Sequence, residues 1–108
     1  MPLLNFLCRI IPLGHNYSFD KEFLRQWLGV MTYDQIFHFL ERDTMRVALY
    51  MNDRAAVKGQ AVPFGQVNLE RVARALNIGY DGLHNSLIDC KITADIYREM
   101  CNFGLFGI

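Results

Sequence analysis

The sequence predicts an α/β fold that is mostly helical, with one main strand followed by about five helices. Three observations carry that reading. The run FLCRIIPL, Phe6 to Leu13, is rich in branched and apolar residues and stops at Gly14, as a strand packed on both faces does. From Phe19 onward apolar residues recur at steps of three and four, interrupted by capping and turn residues. The composition, 52% hydrophobic and 20% charged, is that of a chain that collapses around a core.

Each element follows from local chemistry. Pro12 sets the end of the strand or an edge position, because its ring nitrogen has no proton for a ladder. His15 to Ser18 supply polar turn and cap residues, and Phe19, Phe23, Leu24 and Trp27 follow at helical spacing until Gly29 closes the helix. Tyr33 to Leu40 reads as a short helix with Ile36, Phe37 and Leu40 on one side. Asp43 or Thr44 caps the next helix, which carries Met45, Ala48, Leu49 and Ala55 and stops before Gly59. Gly59 to Val67, with Pro63 and Gly65, is the clearest loop. Asn68 caps a helix whose core face is Leu69, Val72, Ala73 and Leu76. Ile78 to Leu83 is a turn, and the last helix runs from about Asn85 to Asn102 with Ile88, Ile92, Ile96 and Cys101 inward.

A lone strand satisfies no ladder, and one buried on both faces needs neighbours on both sides. Its partners are expected from sequence upstream of Met1 or from a second copy of the chain. At 108 residues the chain is expected to be a single domain, and its size raises the expectation of a fragment.

Charge and cysteine content narrow the setting. Lysine plus arginine equals aspartate plus glutamate at 11 each, so no net positive field advertises a nucleic-acid partner. An enzyme that holds phosphates through bound cations wants local carboxylates more than global positive charge. Cys8, Cys90 and Cys101 are an odd set without a C-x-x-C pair, and no secretory leader is evident, which points to a reduced, cytoplasmic compartment. The apolar opening carries Arg9 and Pro12 and falls far short of the roughly 18 residues that span a bilayer.

Two stretches carry chemistry. In Gly14-His15-Asn16-Tyr17-Ser18-Phe19-Asp20, an acidic residue sits on the first turn of a helix that directly follows a strand, where α/β folds commonly place ligands. In His84-Asn85-Ser86-Leu87-Ile88-Asp89, a histidine precedes an aspartate by five positions. Five residues on one helix turn through about 500° and leave the side chains roughly 140° apart. If the two share a site, His84 sits on the loop ahead of the helix and Asp89 within its second turn.

Both stretches resemble the second and third motifs of the DnaQ-like (DEDDh) 3'-5' exonucleases, whose fold is ribonuclease H-like. The likeness rests on Asn16, Phe19 and Asp20, and on the spacing from His84 to Asp89. Arg42-Asp43-Thr44-Met45 and the segment from Asn68 to Leu76 look like that family's middle helices in the expected order, so the resemblance covers about Ile10 to Met100.

The resemblance implies hydrolysis of phosphodiester bonds at the 3' end of single-stranded DNA or RNA, with two Mg2+ or Mn2+ ions. It assigns Asp20 and Asp89 as metal ligands, His84 as the catalytic base and Asn16 and Phe19 to substrate binding. The family's first motif, an Asp-x-Glu pair on a strand, is absent. Asp20-Lys21-Glu22 has that order but lies on a helix, where a two-residue step turns about 200°. The chain is therefore expected to be inactive alone, lacking an N-terminal segment or awaiting another copy in a homo-oligomer. The alternative is an incompetent remnant that serves as a nucleic-acid-binding or assembly module.

Several residues have plainer roles. Asp43 reads as an N-cap, His15 and His38 as structural or exposed, and Trp27, Phe37 and the group from Met45 to Met51 as core or interface.

Overall fold

The computed structural model describes residues 9–79 and 86–102. It is a mixed α/β structure, mostly helical, with five helices and a two-stranded parallel sheet. By contact the chain divides into two compact units, Met1–Asp43 and Thr44–Ile108.

In the first unit, strand β1 (Leu13–Gly14) leads into helix α1 (Tyr17–Leu28), helix α2 (Val30–Ile36) and strand β2 (Arg42–Asp43). β2 returns parallel to β1, with Leu13 beside Arg42 and Gly14 beside Asp43. Parallel strands cannot be joined by a tight hairpin, so the two helices form the crossover. An isolated bridge pairs Ile10 with Phe37, held by Ile10 N–H to the Ile36 carbonyl at 2.9 Å and His38 N–H to the Ile10 carbonyl at 2.7 Å. The Arg42 N–H then reaches the Pro12 carbonyl at 2.9 Å. Between the two pairings, the second strand spends more residues than the first and bulges outward at Phe39 and Leu40, both exposed.

This corrects three expectations. Helix α2 ends at Ile36, and Phe37 is already extended (φ −108°, ψ 137°), so residues 37–40 are not helical. A short apolar run such as Ile36-Phe37-His38-Phe39-Leu40 fits either period, and pairing to Ile10 decides it. The first strand's partner therefore comes from downstream in the same chain. Nor is that strand covered on both faces, because Ile10 and Ile11 are each about half exposed, at 55% and 52%. Residues 6–8 of the expected strand lie outside the described residues.

Helix α1 begins and ends where the capping residues place it. Gly29 takes φ 86°, and its N–H closes the helix on the Arg25 carbonyl at 2.9 Å. Its apolar stripe is not core, however: Phe19, Phe23 and Trp27 are 73%, 68% and 76% exposed. The buried anchor is Tyr17, whose hydroxyl shares a 2.6 Å hydrogen bond with that of Tyr33 on α2. Tyr33 also packs on Phe37, with ring centroids 4.8 Å apart.

In the second unit, helices α3 (Thr44–Val57), α4 (Leu69–Ala75) and α5 (Ser86–Asn102) enclose a core of Ala48, Phe64, Val72, Ala73, Ile92, Ile96 and Met100. The expected loop between α3 and α4 is present, and Asn52 fixes it. The Asn52 side chain donates to the Phe64 carbonyl at 2.8 Å and accepts from the Phe64 N–H at 3.0 Å, which seats the phenyl ring in the core. Asn68 caps α4 as expected, its side chain accepting from the Arg71 N–H at 2.9 Å. On α5, Ile92 and Ile96 are inward, but Cys101 is exposed and Met100 takes the buried place. Cys101 stands five residues beyond Ile96, about 140° around the helix, whereas Met100 at four residues stays on the same face. Leu49, at 43% exposure, likewise turns outward beside buried Ala48. Among the described residues no helix is long and apolar enough to cross a membrane.

Candidate functional site

The first unit's site is built on the turn between β1 and α1. Gly14 ends β1 buried under Tyr17, and a Cβ at residue 14 would stand 2.9 Å from Tyr17 Cδ1 and 3.1 Å from its Cβ. Only glycine gives the tyrosine that room. Asn16, the N-cap, adopts the left-handed conformation (φ 60°, ψ 54°), which asparagine tolerates better than most residues. Its side chain accepts from Ser18 Oγ of its own turn at 3.4 Å. The presence of an asparagine is thus explained by the backbone it must adopt, without reference to a substrate.

Asp43 holds this turn from the neighbouring strand. It is 6% exposed, and its Oδ1 and Oδ2 accept from the N–H groups of Asn16 at 2.9 Å and Tyr17 at 2.8 Å. The sequence reading had given Asp43 the role of capping α3. The bonds to the start of α1 give it a further role that the sequence reading does not foresee.

Asp20 lies in the first turn of α1 and is exposed, with Phe19 beside it. Partial burial raises its pKa above the ordinary carboxylate value, and the nearby negative charge of Asp43 adds to the rise. A carboxylate at a helix N-terminus is ordinarily stabilised by the dipole; here partial burial and the neighbouring Asp43 charge act against that stabilisation. The Tyr17 phenol is also raised, chiefly by burial and then by its bond to Tyr33, and stays protonated.

Because the folded-state pKa of Asp20 is raised, its ionised form works against the fold above that pKa, and the penalty vanishes below the unfolded value near 4. Asp20→Asn should melt higher than the unaltered chain at pH 7, by less than about 4 °C, and at the same temperature as it below about pH 4. Mg2+ should narrow the gap at pH 7. Parallel thermal melts across pH check this, and a lower melting temperature for Asp20→Asn at pH 7 would contradict it.

The second unit carries Asp89, in the first turn of α5 rather than its second. The residue is half-buried, and its Oδ1 is shielded from solvent with no hydrogen-bond partner among the described residues. Its backbone carbonyl accepts from Thr93 Oγ1 at 2.7 Å, but this leaves the carboxylate untouched. His84 lies outside the described residues. Asn16, Phe19 and Asp20 are thus brought together at one turn of the first unit, while Asp89 belongs to the second.

Among the described residues there is no group of three or more His, Cys, Asp or Glu side chains placed to hold a metal ion. The second unit also has an open depression of about 400 Å³ lined by Pro63, Phe64, Gly65, Gln66, Arg71 and Arg74, with Arg74 tied to Glu70 at 2.9 Å. None of the described candidate residues lines it. Compared with known proteins, the chain matches no family model, no curated protein and no solved structure.

Proposed function

We propose that this chain supplies the second and third motifs of a DnaQ-like 3'-5' exonuclease of ribonuclease H-like fold, acting on single-stranded DNA or RNA. The observation that carries the reading is Asp20. It is an exposed carboxylate standing where a parallel strand passes into a helix, with partial burial and the neighbouring Asp43 charge both acting against its ionised form. Asp89 adds a second carboxylate with a shielded, unpartnered oxygen among the described residues, and a buried acceptor without a donor is costly. Both offer hard oxygen donors, the kind that suits Mg2+ or Mn2+.

Two such ions, when bound, supply positive charge to the entering and leaving oxygens of an in-line phosphoryl displacement. Asp20 and Asp89 are the ligands from this chain, and an Asp-x-Glu pair on another strand completes the set. His84 accepts the proton of the attacking water, a task suited to an imidazole whose unperturbed pKa is about 6.5. Phe19, 73% exposed beside Asp20, offers a ring face to the terminal base, and the Asn16 amide lies on the same turn.

A second reading, a binding or assembly module, is favoured by one observation. Phe19, Phe23 and Trp27 form an exposed stripe along α1, and Met31 on α2 is 78% exposed as well.

The test is shortening of a 5'-labelled single strand, with Mg2+ or with chelator, by this chain alone and joined to a strand segment bearing Asp-x-Glu. Chelator-sensitive shortening from the 3' end is expected only in the joined protein, abolished by Asp20→Asn or Asp89→Asn. His84→Ala should slow it with metal binding largely kept. Retention of the strand without shortening by the joined protein would favour the second reading, and shortening that survives both aspartate changes would overturn the first.

A further inference from the structure

Asp43 stands at the end of β2 in register with Gly14, the point where the chain leaves the sheet for α1. Its two oxygens are divided between consecutive N–H groups, Asn16 to Oδ1 and Tyr17 to Oδ2. These belong to the first donors of α1, which no helical carbonyl reaches. The left-handed Asn16 followed by helical Tyr17 turns successive N–H groups toward one side, forming a concavity that binds an anion. The anion it holds is Asp43. Asp20 follows three residues after Tyr17 in the same turn, so the clamp sets the helix phase from which Asp20 projects.

The clamp has a second effect. The positive end of a helix normally compensates an acidic residue in its first turn, but here that end is engaged by Asp43. Among the described residues Asp20 has no cationic partner; the neighbouring Lys21 is turned to Glu41 at 3.6 Å.

We propose that Asp43 is the positioning residue of the Asp20 site, fixing the first turn of α1 through Asn16 and Tyr17 and occupying the helix's positive end so that Asp20 is left to bind a cation. The inference rests on the reading of Asp20 as a metal ligand.

The experiment uses the full chain and Mn2+ alone, read as paramagnetic broadening of the backbone amide signals of residues 18–22. In the unaltered chain those signals broaden, and in Asp20→Asn they do not. Asp43→Asn keeps the side-chain volume but replaces one acceptor oxygen by an amide group that faces an N–H. The Mn2+ concentration for half-broadening should then rise about tenfold, while broadening around Asp89 in the other unit is unchanged. If broadening requires Asp20 and is the same in Asp43→Asn, the positioning role is overturned and the metal reading stands. If the unaltered chain shows none at residues 18–22, the metal reading of Asp20 falls, and the positioning role with it.

Should Asp43→Asn fail to fold, amide hydrogen exchange in the unaltered chain decides. The Asn16 and Tyr17 amides should exchange slowly, and more slowly still with Mn2+ replaced by diamagnetic Mg2+ at saturation. Exchange at the rate of open chain at both positions would overturn the inference.

Discussion

Asp89→Asn should lower 3' hydrolysis by the completed protein about a thousandfold while leaving the metal-free fold as stable as before, or slightly more so. The rate effect follows from removing a ligand to ions that contribute several kcal/mol of charge stabilisation, about 4 kcal/mol corresponding to a thousandfold. The stability effect follows from the site itself. Asp89 Oδ1 is shielded and has no partner among the described residues, so replacing it breaks no hydrogen bond of that oxygen, and the cost of burying an unpaired acceptor offsets what the charge gains from the start of α5. A structural carboxylate behaves oppositely: when it accepts hydrogen bonds inside the fold, removing it leaves donors stranded and costs about 1–3 kcal/mol. The comparison is made by melting both proteins with chelator and again with Mg2+. The unaltered chain should gain stability from the ion and Asp89→Asn should gain little. A fall in the metal-free melting temperature of Asp89→Asn would mark Asp89 as a structural residue and remove it from the site.

The parts of the fold readable in the sequence were those set by local chemistry. Asn68 announces α4 because an asparagine ahead of an apolar periodic segment is a cap, and its side chain does take the Arg71 N–H. Gly29 announces the end of α1 because it can adopt positive φ, and it does. The second strand was not readable. Phe37 to Leu40 has no turn residue to separate it from α2, and its extended form is fixed by bonds to Ile10, more than twenty residues earlier.

That misreading hid Asp43. Read as following a helix, it is one more polar residue ahead of α3. Read at the end of a strand parallel to β1, it stands beside Gly14 with its carboxylate at the start of α1. For the face of α1, local pattern leaves core and interface open. Helical spacing of Phe19, Phe23 and Trp27 shows that the residues share a face, and says nothing of what that face meets.

Gly14→Val should destabilise the Met1–Asp43 unit by about 3 kcal/mol, the upper part of the usual range for overpacking, and weaken cation binding at Asp20 as well. The argument is steric, since this glycine is not among those with positive φ. An added Cβ meets Tyr17 Cδ1 at 2.9 Å, its Cβ at 3.1 Å and its Cα at 3.4 Å. The ring tip of a flexible side chain could swing aside, but here the Cβ and Cα are also close, so the backbone of the helix's first residue must move. Tyr17 is poorly placed to yield, because its hydroxyl is bonded to Tyr33 and its N–H to Asp43. Moving it therefore strains a buried hydroxyl pair and one arm of the Asp43 clamp together, and shifts the turn that carries Asp20. Gly14→Ala meets the same atoms with fewer of its own and should lose less. Amide signals of residues 10–43 followed through a urea titration, with those of residues 44–79 as an internal reference, give the loss for the first unit. Unchanged unfolding of the first unit in Gly14→Val would show that α1 does not approach the strand end this closely, and the geometry assigned to Asp20 would fall with it.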